Sequence, residues 1–228
     1  MENANSTNSR PEGSLRGFWS LFITQFQGAF SDNLYKFLAI YFVMKTYQGE
    51  KDKIDSLIPI IGAVFSLPFI IFSLLGGYLS DRYSKKYVAV GTKVAEVLIM
   101  VIAAVALMKG NLNFIIGVIF LMSTQSAFFG PAKYGSLPEL LPPEKLSWGN
   151  GVIGMGTNMA VIFGMVAAGY ISEKYGVNTQ EAGLLLVILA VIGFIFSLGI
   201  TKVPPSNEAN QPQPNFLGAV KELVHKVK

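Results

Sequence analysis

One otherwise apolar stretch of this 228-residue chain, residues 17–46, carries side chains that could bind an ion or a polar substrate. Its polar side chains include Gln25, Gln27, Asp32, Asn33 and Lys36. Asp32 and Lys36 stand four residues apart, so a helix places them on one face, where an ion pair would offset part of the cost of burying two charges. The pair either lets a charged helix insert into a membrane or serves a polar cavity, and we expect the cavity.

A second run of this kind, residues 125–134, reads Gln-Ser-Ala-Phe-Phe-Gly-Pro-Ala-Lys-Tyr. Pro131 removes a backbone donor and, together with Gly130, is expected to kink or end a helix at this point. Lys133 either extends to the membrane surface or turns into the mouth of a cavity. In the cavity, Gln125 and Lys133 would join the polar residues of the first stretch, and Lys133 would suit an anionic part of a substrate.

The composition excludes several classes of protein. Only 14% of the residues are charged, whereas a soluble domain carries about 25%. The chain has no cysteine and one histidine, His225, so thiolate nucleophiles, disulfides, multi-histidine metal sites and a Ser-His-Asp triad are excluded. The net charge of +4 is not concentrated in a basic face with aromatic residues, which argues against a nucleic-acid partner. We therefore expect a membrane protein that is not an enzyme and needs no cofactor or metal.

Six stretches are long and apolar enough to cross a bilayer, which needs roughly 20 mostly apolar residues. They are residues 17–46, 57–80, 87–108, 114–132, 149–171 and 182–201. The predicted fold is an all-α membrane protein in which residues 17–201 form a bundle of six transmembrane helices.

The distribution of basic residues predicts the orientation of this bundle. Residues 1–16 are polar and lack the pattern of a cleaved signal peptide, so they are expected to be a cytoplasmic tail. With the N-terminus inside, 12 of the 18 basic residues, Lys93 and Lys133 among them, fall on the cytoplasmic side, five fall outside and Lys36 lies within a span. This asymmetry predicts that both termini are cytoplasmic.

The chain also contains short internal matches. Residues 27–30 are similar in sequence to residues 125–128, and residues 77–83 are similar to residues 169–175. Spans 1 to 3 therefore resemble spans 4 to 6. Because three is an odd number of crossings, the two units would enter the membrane from opposite sides, which predicts two inverted three-helix repeats, an arrangement typical of secondary transporters.

Small residues recur every four positions in the fifth span, at Gly156, Ala160, Gly164 and Ala168. On a helix they form one stripe that lets a neighbouring backbone approach closely. We interpret this stripe as a packing surface with no role in binding substrate.

The loop after the second span resembles a signature of the major facilitator superfamily. Residues 77–86 read Gly-Tyr-Leu-Ser-Asp-Arg-Tyr-Ser-Lys-Lys, and the signature reads Gly-x-x-x-Asp-Arg-x-Gly-basic-basic, so Ser84 stands where the family has glycine. An acid and several bases at a helix junction can pair with helix ends of a partner bundle in one state and release them in another. The resemblance implies that a conformational latch is formed by Gly77, Asp81, Arg82, Lys85 and Lys86.

A narrower resemblance is carried by residues 25–36 and 125–142. Both segments are similar to the bacterial lysophospholipid transporter branch of that superfamily, which includes forms fused to a phospholipid acyltransferase. The resemblance implies a flippase of the bacterial cytoplasmic (inner) membrane that moves a lysophospholipid, such as lysophosphatidylethanolamine, by alternating access. Membrane lipid would be its other partner. The substrate-binding residues would be Gln25, Asp32, Asn33, Lys36, Gln125 and Lys133.

Members of the superfamily have two six-helix bundles, and this sequence predicts one. Residues 202–215 contain four prolines and are expected to be a linker. Residues 216–228 have apolar positions at helical spacing beside lysines, which predicts a basic amphipathic helix at the start of a connector between bundles. A second six-helix bundle is therefore an expected partner, either the missing half of the protein or a second copy of this chain.

Two other functions remain open from the sequence. A proton-coupled antiporter of small solutes or drugs could use Asp32 or Glu96 as its proton carrier, although Glu96 in the third span would equally serve as a buried, hydrogen-bonded structural carboxyl. A membrane anchor or assembly partner of a phospholipid acyltransferase would not transport anything.

Overall fold

A computed structural model of the protein describes residues 15–176 and 180–202, which fold into six α-helices and one 3-10 turn. The helices are α1 (Leu15–Thr46), α2 (Lys51–Arg82), α3 (Lys85–Lys109), α4 (Leu112–Leu140), α5 (Leu146–Lys174) and α6 (Gln180–Leu198), and the turn is Pro143–Lys145. Each predicted span corresponds to one helix, and no strand occurs in these two ranges. Apart from positions 15, 16 and 202, the predicted tail, linker and amphipathic helix lie outside the described residues.

Five of these six helices are long and apolar enough to cross a membrane. Helix α1 is the one that does not meet both criteria. Its 32 residues give a length of about 48 Å, which exceeds the roughly 30 Å of a bilayer core. What α1 lacks is apolarity, because its central turns carry the polar side chains described above. Helix α1 packs against α2, α4, α5 and α6, so these polar turns are enclosed by other helices.

The exterior and the interior of the bundle differ in the way expected of a membrane protein. Large apolar side chains such as Ile70 and Leu74 of α2 are exposed, whereas Asp32, Lys93 and Glu96 are buried. In water this distribution would be unfavourable, whereas in lipid the apolar exterior is solvated by acyl chains and the polar groups satisfy one another inside.

The sequence predicted that a helix would kink or end at Pro131. Helix α4 does not end there, and it continues through Pro138 to Leu140. Pro131 leaves the Ala127 carbonyl without its usual helical donor. Gly76 of α2 packs directly on this turn, and a Cβ atom at that position would lie 2.9 Å from the Ala127 oxygen. The neighbouring helix thus covers the interrupted turn, which is how prolines are tolerated inside membrane helices.

The predicted small-residue stripe of α5 is confirmed as a packing surface. Gly156, Ala160, Gly164 and Ala168 are all buried. A Cβ atom at Gly164 would lie 2.8 Å from the Phe30 carbonyl oxygen and 3.0 Å from the Leu34 nitrogen of α1. The backbones of α1 and α5 therefore touch, and this contact helps to hold the polar turns of α1 in place.

Replacing Gly164 with alanine should lower the free energy of unfolding by about 1–3 kcal/mol, because both clashing atoms are backbone and the two helices must separate. The matched control is Gly154→Ala on the same helix, where a Cβ atom meets nothing within 4 Å and helix propensity favours alanine. Thermal unfolding of the purified protein in detergent measures both. Equal melting temperatures for the two variants would contradict the close α1–α5 contact.

Candidate functional site

A cavity of about 370 Å³ lies between α1, α2, α3, α4 and α5. All six residues predicted from the sequence to bind substrate line it, namely Gln25, Asp32, Asn33, Lys36, Gln125 and Lys133. The α1 residues reach it because their spacing follows the helical period, so that one face of α1 points inward. Apolar side chains, including Phe65 and Phe69 of α2, complete the wall.

Asp32 is held in the wall of this cavity by α4. Its Oδ2 atom accepts a hydrogen bond of 2.5 Å from the Ser126 hydroxyl. Its Oδ1 atom is buried and has no hydrogen-bond partner within the part of the chain that the structure describes. One carboxylate oxygen is therefore a buried acceptor whose hydrogen bond is not made by any described residue.

The prediction of an ion pair between Asp32 and Lys36 is wrong. In the described ranges, the Lys36 nitrogen is not within 4 Å of an Asp32 carboxylate oxygen. The Lys36 ammonium instead donates to Asn33 Oδ1 at 2.7 Å and lies 4.4 Å from the centre of the Phe65 ring. Packing against α4 turns Asp32 toward Ser126, and the amide and the aromatic ring then supply the partners of Lys36.

A buried polar cluster that the sequence analysis missed lies beside Asp32. Lys93 and Glu96 of α3 form an ion pair of 2.6 Å, and each side chain is 1% exposed. Gln27 of α1 donates to Glu96 Oε1 at 2.9 Å and accepts from the Lys93 ammonium at 2.9 Å. All three side chains are thus satisfied together.

Two predictions are resolved by this cluster. Counting Lys93 among the cytoplasmic basic residues was wrong, because it lies inside the bundle. Its position three residues before Glu96 on one helix was the signal that could have identified it. Glu96 is hydrogen-bonded and buried, as the structural alternative predicted, and its lysine partner balances its charge.

Lys133 turns into the cavity, which decides between its two predicted orientations. Its side chain is buried and lines the cavity wall, and its ammonium lies 4.3 Å from the centre of the Tyr134 ring. No carboxylate pairs with it in the ranges 15–176 and 180–202. The cavity therefore contains Lys36, Lys93 and Lys133 against two carboxylates, an excess of positive charge that suits an anionic ligand.

The five predicted latch residues are divided between different contacts. Lys85 forms an ion pair with Glu139 near the end of α4, and Lys86 donates to the Leu198 carbonyl at the end of α6 at 2.8 Å. Arg82 contacts the Tyr78 hydroxyl of its own helix, and Asp81 is exposed. A Cβ atom at Gly77 would meet nothing within 4 Å. The structure brings two latch residues to neighbouring helices, and a latch of all five stays a prediction.

Comparison with known proteins gives the context for this cavity. A lysophospholipid transporter LplT of Cronobacter sakazakii is 29% identical over 165 residues, which cover 72% of this chain and 39% of the relative. The LplT of Salmonella typhimurium is 28% identical and covers 79% of this chain and 42% of the relative. The chain thus spans about two fifths of the length of these curated relatives. They confirm the resemblance to the lysophospholipid transporter branch that the sequence indicated.

Solved structures share the fold. A peptide transporter POT in complex with sulfate covers 93% of this chain with a TM-score of 0.70 and 17% identity, and the match takes in 45% of that protein. A POT family transporter in complex with 5-aminolevulinic acid gives a TM-score of 0.66. The sequence profile of the Major Facilitator Superfamily matches residues 21–227. Because this match takes in nearly the whole chain, the protein belongs to the Major Facilitator Superfamily.

Proposed function

We propose that this chain is the N-terminal half of a transporter that moves lysophospholipid between the leaflets of the bacterial inner membrane by alternating access. The observation that carries the proposal is the cavity, in which two lysines have no carboxylate partner among the described residues and the wall combines polar and aromatic side chains. A lysophospholipid carries a phosphate and a single acyl chain, and such a wall accommodates both kinds of group. Lys133 would bind the phosphate.

The arrangement of the helices supports the topology proposed with this function. The two polar runs that match each other in sequence, residues 27–30 and 125–128, lie on α1 and α4, and both helices line the cavity. In an inverted repeat the first helix of each unit occupies an equivalent place beside the site. We propose two inverted repeats, cytoplasmic termini and a second six-helix bundle that closes the open side of the cavity.

A proton-coupled antiporter is the second candidate, and one observation favours it. The Oδ1 atom of Asp32 is buried and has no hydrogen-bond partner among the described residues, so Asp32 could carry a proton. Glu96 is less suited to this role, because Lys93 is ion-paired with it. Uptake of labelled lysolipid that continues after the pH gradient is collapsed supports the facilitated flippase, and strict dependence on the gradient contradicts it.

Asp32→Asn tests the role of the cavity. In the full-length protein, with the second bundle present, transport of labelled lysophosphatidylethanolamine into membrane vesicles should fall by about tenfold or more, because the variant removes one of the two carboxylates that line the cavity. Insertion should be intact, since an amide is cheaper to bury in a membrane helix than a carboxylate. Lys36→Met, measured in the same transport assay, tests the role of the second charged residue on this turn of α1.

Asp55→Asn is the control for Asp32→Asn, because Asp55 is an exposed residue of α2 and the change of charge is the same. Membrane abundance, measured by immunoblot, must be equal for all variants. Transport at the wild-type rate in both Asp32→Asn and Lys36→Met would remove these residues from the proposed site.

A further inference from the structure

Helices α1 and α4 run antiparallel along the cavity. Gly17 near the start of α1 lies against the Leu140 side chain at the end of α4. The Tyr35 hydroxyl, further along α1, is 3.4 Å from the Ile115 carbonyl near the start of α4. Positions that follow each other along α1 therefore face positions in the reverse order on α4.

The backbones of Lys36 and Lys133 consequently lie on opposite sides of Asp32 along the helix axes. The hydrogen bond between Asp32 and Ser126 marks the level at which the two helices face each other. Lys36 is four residues beyond Asp32 in one direction, and Lys133 is seven residues beyond Ser126 in the other. At 1.5 Å per residue, the two lysine backbones are separated by about 16 Å along the helix axes.

These two lysines differ from the third lysine of the cavity in their partners. The Lys93 ammonium is ion-paired with Glu96 at 2.6 Å. Lys36 has the neutral amide of Asn33 and two phenylalanine rings, and Lys133 has the ring of Tyr134. Lys36 and Lys133 therefore each carry a charge that no described carboxylate compensates within 4 Å.

The middle of the cavity has the opposite character. Asp32 lies between the backbone levels of the two lysines, and its Oδ1 atom is a buried acceptor without a hydrogen-bond partner among the described residues. An anionic group that moved along the cavity would meet a cation, then a carboxylate, then a cation. Such a sequence of charges gives an anion two favourable positions with an unfavourable one between them.

We propose that Lys36 and Lys133 form two separate binding stations for the phosphate group of the substrate, which occupies them in turn as it crosses the membrane. The inference rests on the proposed function and assigns distinct roles within the same cavity. Each station binds the phosphate by a charge-assisted hydrogen bond, and Asp32 keeps the phosphate from settling between them.

Equilibrium binding separates two stations from one shared site. Radiolabelled lysophosphatidylethanolamine is bound to the purified protein in phosphatidylcholine nanodiscs. With two stations, Lys36→Gln or Lys133→Gln alone weakens binding by about twofold, because the other station remains, whereas the double variant weakens it by more than about tenfold. If each single variant already weakens binding by about tenfold, the two lysines hold one phosphate together and the proposal is overturned.

Transport by the same variants, each co-expressed with the second six-helix bundle that transport requires, gives the second readout. Each single variant should lose most of its lysolipid transport while it retains binding, because the phosphate can no longer pass from one station to the other. Lys45→Gln and Lys145→Gln are the controls, since both lysines are exposed and lie outside the cavity. Single variants that bind and also transport at the wild-type rate would overturn the proposal.

The KM and kcat of Asp32→Asn give a third readout, which would not change in this way if Asp32 had only a structural role. Removing the carboxylate should let the phosphate settle between the lysines, so the apparent KM for lysolipid falls together with kcat. A KM that rises as kcat falls would contradict the separating role of Asp32.

A competition arm identifies the source of the phosphate group. Excess inorganic phosphate should displace little of the bound lysophosphatidylethanolamine, because it lacks the acyl chain. If labelled inorganic phosphate binds as tightly as the lysolipid, the stations serve a free anion, and the proposed function fails while the two stations stand. If the wild-type protein moves lysolipid together with the second bundle but the single and double variants bind it equally, the stations fail and the proposed function stands.

Discussion

Replacing Glu96 with alanine should destabilise the protein by about 3–5 kcal/mol, because it leaves the Lys93 ammonium buried without a counter-charge. Both side chains of this pair are 1% exposed, so water cannot replace the lost carboxylate. Gln27 can still accept from the ammonium, but a neutral amide does not balance its charge. Thermal unfolding of the purified protein in detergent and its abundance in membranes measure the effect.

The double variant Lys93→Met with Glu96→Leu shows whether Glu96→Ala destabilises the protein through the unpaired charge of Lys93 or through the loss of side-chain volume. Replacing a buried ion pair by apolar residues of similar size is often neutral, so the double variant should recover most of the stability that Glu96→Ala loses. Glu173→Ala, at an exposed position of α5, is the control for removing an acid. A double variant as unstable as Glu96→Ala would show that the charge balance is not the cause.

Supplying a second six-helix bundle should switch transport from none to measurable. The chain spans about two fifths of its curated relatives, and the cavity of a transporter of this kind lies between two halves. Expressed alone, the 228-residue chain should insert into the membrane and move no lysolipid. Co-expression of a second bundle of the family as a separate polypeptide should restore uptake, because a connector mainly raises the effective concentration.

Membrane abundance of the chain, with and without the second bundle, is the control for this experiment. Cross-linking also tests whether two copies of the chain associate. Robust lysolipid transport by the purified chain as a defined dimer would refute the proposed half and establish that two copies form the complete transporter.

The sequence by itself determined the class of the protein, the number of helices and the composition of the cavity. Apolar stretches of bilayer length leave few alternatives to helices, because backbone groups in lipid must bond within their own segment. The polar positions of α1 follow the helical period, and lipid disfavours ionised groups, so Asp32 and Lys36 had to face inward. For Lys133, the sequence left two orientations open, toward the membrane surface or into the cavity, and did not decide between them.

The partners of these residues were decided by the tertiary structure. Asp32 bonds to Ser126 of α4 and not to Lys36. Lys93, counted among the cytoplasmic basic residues, lies in the core with Gln27 of α1. A sequence shows which residues share a helix face, but the choice between a partner one turn away and a partner on another helix depends on how the helices pack.

The course of α4 past Pro131 was decided in the same way. The missing hydrogen bond is a local property of proline, and it predicted a kink or an end. The close approach of Gly76 on α2 covers the turn that Pro131 interrupts, and residues 55 positions apart meet only after the chain has folded. The sequence thus determined which groups must be buried, and the packing of the helices decided which of them meet.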